Sequence, residues 1–129
     1  MEVEIFTLSD FAQDNGGRLT IVGTFDQISS RTFPATHPSC HLSCRLRFGN
    51  KEAGEHAFRL KLIDATGADV VPPIEGNINV NVAPNQEYAG LNLVVNLNQL
   101  KFEKAGRYSF ELYVNDEWKT GLPLILQQG

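Results

Sequence analysis

The 129-residue chain has only two cysteines, no long apolar run and no surplus of basic residues. Each shortage removes a class of protein. With 11 Lys and Arg against 15 Asp and Glu, the net charge is −4. A nucleic-acid surface needs Lys and Arg gathered on one face, and an anionic membrane attracts basic segments, so neither is an expected partner. No apolar run approaches the ~20 residues of a membrane span. The opening residues, Met1 to Phe6, lack the basic region and apolar stretch of a secretory signal. The expectation is a cytoplasmic protein.

The two cysteines sharpen that expectation. Cys40, Leu42, Cys44, Leu46 and Phe48 alternate with His41, Ser43, Arg45 and Arg47. Period-two alternation marks a half-buried strand. Four residues of strand set the two α-carbons about 13 Å apart, whereas a disulfide tolerates no more than about 7 Å. The cysteines cannot bond to each other and are expected to be free, buried thiols in a reducing compartment.

What the chain does have is alternation almost everywhere. Strands are expected over Val3 to Leu8, Arg18 to Ile28, Cys40 to Phe48, Glu55 to Asp64, Ile74 to Val82, Leu91 to Asn98, Arg107 to Val114 and Trp118 to Gln127. Asp14 to Gly17 and Asp64 to Gly67 read as turns. Ser29 to Ser39, with Pro34 and Pro38, reads as loop, as does Ala83 to Gly90. Val70 to Pro73 is extended but cannot be a central strand, because proline donates no ladder hydrogen bond. Ser9 to Gln13 is the one candidate helical turn, with Ser9 or Asp10 as its cap. Strands that each bury one face and wet the other fit antiparallel sheets packed face to face. The expectation is one domain, 1–129.

Leu100, Glu103, Gly106, Tyr108 and Phe110 stand at a spacing that resembles the E–F corner of immunoglobulin domains. Phe110 takes the place of the disulfide cysteine there, and Lys104 the place of the usual Asp. The resemblance, centred on Gly106, Arg107 and Tyr108, implies a Tyr ring covering the core while its hydroxyl bonds back to the loop backbone. It implies an all-β fold: an immunoglobulin-like antiparallel β-sandwich of about eight strands. A second resemblance covers nearly the whole chain. Asp10 to Gln13, Gly17 to Asp26, Phe58 to Asp64 and Gly106 to Tyr108 are similar to an uncharacterised bacterial domain family. That resemblance implies a bacterial origin and no particular activity.

Catalytic and metal chemistry find little footing. His37, Cys40, His41 and Cys44 carry zinc-ligand types. On a strand, however, His41 faces away from both thiols, which stand too far apart for one ion. A thiol nucleophile needs a nearby base, and His56 is a lone imidazole near a strand start. Asp10, Asp14, Asp26, Asp64 and Asp116 sit mainly at turns and strand ends, where Asp caps backbone amides. No phosphate-binding glycine loop, metalloprotease helix or serine elbow is present. The expectation is a protein with no catalytic residues, no metal and no cofactor, hence not an enzyme.

Six asparagines, Asn77, Asn79, Asn81, Asn92, Asn96 and Asn98, fall on the outward parity of two consecutive strands. If those strands pair, their amides form one patch, with Tyr88 or Tyr113 as an exposed contact. Trp118 reads as closing a hairpin core. The leading functional expectation is a non-catalytic module that presents loops or an edge strand to a protein partner. The alternative is a small-ligand site, for example for a carbohydrate. Metal binding or hydrolysis is the function these residues favour least.

Overall fold

The computed structural model describes all 129 residues. Nine strands follow in order: β1 Glu2–Asn15, β2 Arg18–Thr24, β3 Gln27–Ser30, β4 Ala35–Gly49, β5 Gly54–Ile63, β6 Ile74–Val80, β7 Tyr88–Phe102, β8 Gly106–Val114 and β9 Glu117–Gln128. The sole helical piece is a 3₁₀ turn at Asn50–Glu52. The strands form a four-stranded sheet, β2-β1-β4-β7, and a five-stranded sheet, β3-β9-β8-β5-β6. Every pair is antiparallel except β3 with β9. The fold is all-β.

Alternation places the core between the two sheets. Cys40, Leu42, Cys44, Leu46 and Phe48 of β4 are all buried, and they form one cluster with Leu60 and Leu62 of β5. Tyr108, Phe110, Leu112 and Val114 of β8 and Leu124 and Leu126 of β9 complete the opposite wall. Burial of such side chains contributes on the order of 1.5–3 kcal/mol each.

Four local expectations change. Ser9 to Gln13 is not a helical turn: β1 runs straight through it, and Phe11, Ala12 and Gln13 pair with Val22, Ile21 and Thr20 of β2. The Ser9 hydroxyl donates to the Phe11 carbonyl rather than capping a helix. Pairing with β2 satisfies amides that a lone helical turn would leave bare. The expected second strand is broken in two. After Thr24 the chain crosses between sheets: the Phe25 amide bonds Leu8 in the first, and the Asp26 carbonyl accepts from Ile125 in the second. This crossing makes nine strands of the expected eight. β4 starts at Ala35 despite Pro38. Pro38 is tolerated because β1 reaches β4 only from His41 to Arg47, so β4 has β7 alone beside it there. Finally, β7 extends past Asn98, where Gln99 takes φ 53°. That residue resets the parity, so Leu100 and Phe102 turn inward after Leu97.

The β1–β2 hairpin does not project past the sheet. Asn92 of β7 donates to the Asp14 carboxylate at 3.1 Å and to the Gly17 carbonyl at 3.2 Å. Asn92 lies opposite Arg45, which itself lies opposite Ile5. The hairpin tip therefore folds back over the outer face of the first sheet. Gly23 permits the bend: it takes φ 72°, and a Cβ there would lie 2.6 Å from the Asp10 carboxylate.

Candidate functional site

The residues singled out in the sequence are dispersed by the fold. Cys40 and Cys44 are fully buried on the inner face of β4 and unbonded. Burial pushes the Cys44 thiol up to about 12. Burial, aided by the Asp10 carboxylate, pushes the Cys40 thiol up to about 11. His41 stands on the other face, edge-on to Phe11 at 5.6 Å. His37 packs beside Phe25 at 5.5 Å. No three His, Cys, Asp or Glu side chains converge at metal-binding geometry.

His56 is a structural clamp. Its Nε2 stands 2.6 Å from the Glu52 carbonyl, and its Nδ1 accepts from Asn115 at 2.8 Å. These contacts tie the 3₁₀ turn to the β8–β9 turn. The aspartates are likewise occupied by structure. Asp64 accepts from the Thr66 amide, the Thr66 hydroxyl and the Ala68 amide, which holds its carboxyl below the ordinary carboxylate range.

The asparagine patch does not exist. β6 and β7 lie in different sheets, so Asn77 and Asn79 never meet Asn92, Asn96 and Asn98. Asn92 is spent on the hairpin tip and on Arg45, which donates to it at 2.9 Å. Tyr88 is exposed at the start of β7, with the Arg47 guanidinium 5.5 Å from its ring centre.

Trp118 corrects a second expectation: it lies outside the core and is 58 % exposed. The cause is a bulge. Leu112 pairs with Thr120 but Tyr113 pairs with Trp118, so Lys119 is the extra residue. Leu122, Leu124 and Leu126 point inward at even positions; the bulge flips Trp118 to the outer face.

Two surfaces remain that are built rather than incidental. The first is the free edge of β7. Its entire length pairs with β4, and no strand lies on its other side. From Tyr88 to Leu100 it carries no charged residue and no proline. Leu91, Leu93 and Val95 are only partly buried and pack against the core from this open side.

The second surface is on the outer face of the second sheet. Arg59 pairs with Glu75 on one side and with Tyr113 on the other, and Tyr113 pairs with Trp118. These residues form one row across β6, β5, β8 and β9. The Arg59 guanidinium lies 4.5 Å from the Tyr113 ring centre and 3.2 Å from the Asp116 carboxylate. A cavity of about 320 Å³ opens beside them. Tyr113 was an exposed-contact candidate on parity alone. Arg59, Glu75 and Asp116 carried no comparable signal, because their grouping depends on strand register.

Among curated proteins, none matches the sequence. Two solved structures align with the chain. The Pseudomonas fluorescens alkylpurine DNA glycosylase AlkC, bound to DNA containing an abasic site analog, aligns at TM-score 0.50 and 10% identity over 98% of this chain. The beta-glucosidase from Listeria innocua, in complex with isofagomine, aligns at TM-score 0.49 and 11% identity over 97% of this chain. The chain spans only 30% and 16% of those two proteins, and at 10% identity the likeness to the first is one of fold alone. Residues 4–127 match the model of a family of unknown function (DUF6941).

Proposed function

The chain belongs to this family of unknown function, and we propose that it is a non-catalytic protein-interaction module that captures an extended segment by strand addition at β7. The observation that carries this is the unblunted edge. Sheet proteins protect their edges with short strands, prolines, inward charges or lysines, because a free edge templates pairing with another chain. β7 is a 15-residue strand, and from Tyr88 to Leu100 it uses none of these devices. An added strand would bond its backbone to the free amides and carbonyls of β7. Its alternate apolar side chains would cover Leu91, Leu93 and Val95.

The corner at Tyr108 and the β3–β9 parallel pair support an immunoglobulin-like label for the sandwich. Free thiols and the resemblance to a bacterial family support a bacterial cytoplasmic setting.

The test is a library of twelve-residue peptides with alternating apolar residues, read by amide chemical shifts. Binding peptides should shift and protect the amides of β7, and Val94→Lys should abolish the effect by placing a charge on the edge strand itself. If every peptide leaves β7 unperturbed, or if the lysine variant binds as wild type does, strand addition is wrong.

A further inference from the structure

We propose that the outer face of the second sheet binds a carbohydrate, with Trp118 as a stacking platform and Tyr113, Arg59, Glu75 and Asn77 as its hydrogen-bonding groups. The site lies on the sheet that does not contain β7, so it is independent of the strand-addition surface.

Trp118 is exposed but not loose. Its indole Nε1 donates to the Glu111 carboxylate at 2.6 Å. Glu111 is held in turn by the Ser109 hydroxyl at 2.9 Å. Gly121, opposite Glu111 in register, leaves space for that carboxylate: a Cβ there would lie 2.6 Å from its Oε2. A large apolar ring is thus fixed in the solvent by a carboxylate that is itself braced. Trp118 lies opposite Tyr113 in register, and paired antiparallel residues set Cβ atoms about 4.5–5.5 Å apart.

The cavity lies on the other side of Tyr113. Arg59, Tyr113, Asp116, Glu75 and Asn77 line it, and Gly76 forms part of its wall. Its volume, about 320 Å³, falls at the lower end of the range for small-ligand sites. The guanidinium is fixed by the Tyr113 face and by Asp116. Only one of its bonds goes to Asp116, and a guanidinium carries five N–H donors in all. Asn77 offers both a donor and an acceptor, and Glu75 only acceptors.

The charges select the ligand class. Arg59 is paired with Asp116 and Lys61 with Asp69, so little unpaired positive charge is left for an anion, and Arg59 at the cavity opposes a cation. What remains is a neutral molecule whose groups both donate and accept, with a C–H face that lies flat on an aromatic ring. A pyranose has both properties. The row from Glu75 to Trp118 crosses four strands, about 14 Å at sheet spacing, which suits an oligosaccharide better than a single ring.

Trp118 is the only tryptophan of the chain, so tryptophan emission excited selectively over the tyrosines reports this site alone. The experiment titrates the whole protein with cello-, malto-, xylo- and chito-hexaose, and separately with tetramethylammonium chloride. At least one oligosaccharide should produce a saturable change in tryptophan emission. Asn77→Ala and Tyr113→Ala should weaken that response at least tenfold, whereas Val22→Ala, on the other sheet, should leave it unchanged. Asn77 is an exposed edge-strand residue, and an unaltered melting temperature will show that its variant is folded. Absence of a saturable response to all four sugars, a response only to the ammonium salt, or a sugar response that survives both substitutions would overturn the proposal.

Discussion

The Tyr108 hydroxyl donates to the Lys104 carbonyl across 2.7 Å. That bond closes the connection between β7 and β8, and the Tyr108 ring stands edge-on to Phe102 at 4.9 Å. One side chain thus covers the end of the core and satisfies a loop carbonyl. Tyr108→Phe keeps the ring and removes the bond, and should lower stability by about 1–3 kcal/mol. Urea unfolding measures it; an unchanged midpoint would show that the bond contributes nothing.

Asn92 pins the hairpin tip through Asp14 and Gly17. Asn92→Ala should cost about 1–2 kcal/mol for the lost bonds. The sharper signature is local: amides of the β1–β2 hairpin beyond Ser9 should exchange faster, while those of β8 and β9 keep their protection. Uniform acceleration across both sheets would instead mean that the hairpin and the sandwich unfold together.

The thiols of Cys40 and Cys44 are raised to about 11 and about 12 and are fully buried. The reactive thiolate is scarce at neutral pH. Ellman's reagent should find no fast-reacting thiol in the native protein at pH 8 and two in denaturant. A fast native thiol would place one cysteine at the surface.

Two carboxyls are held below their ordinary range. Glu52 accepts from the N-terminal ammonium at 2.8 Å and from the Gly49 amide at 3.0 Å. Asp64 accepts from Thr66 and Ala68. A lowered folded-state pKa means the unfolded chain takes up protons first. The stabilisation is therefore complete above the unfolded values, near pH 4, and is lost as pH falls through the folded ones. Glu52→Gln and Asp64→Asn should each narrow the gap between urea midpoints measured at pH 7 and pH 3. A gap as wide as in the wild type would remove that carboxyl from the acid response.

The inner wall of the core was legible from alternation alone. Cys40 to Phe48 and Tyr108 to Val114 fall on the buried parity that their sequence implies, and the Tyr108 bond matches the expected corner. Parity misled where one residue breaks the period. The bulge at Lys119 turned Trp118 outward, and Gln99 turned Leu100 inward. The same reasoning extended β2 across Phe25 and Asp26, because an alternating pattern looks the same whether or not the strand changes sheets.

Which side of a strand is apolar is a local property, so the sequence by itself determined the all-β class, the free thiols and most of the core. Which strands lie side by side depends on pairings between residues far apart in the chain. Those pairings separated the asparagines of β6 and β7 into different sheets, and they aligned Glu75, Arg59, Tyr113 and Trp118 in one row. They also left one side of β7 without a neighbour. Both surfaces proposed for binding are outer faces or edges, where no hydrophobic periodicity records the neighbouring strand, and so only the tertiary structure decided them.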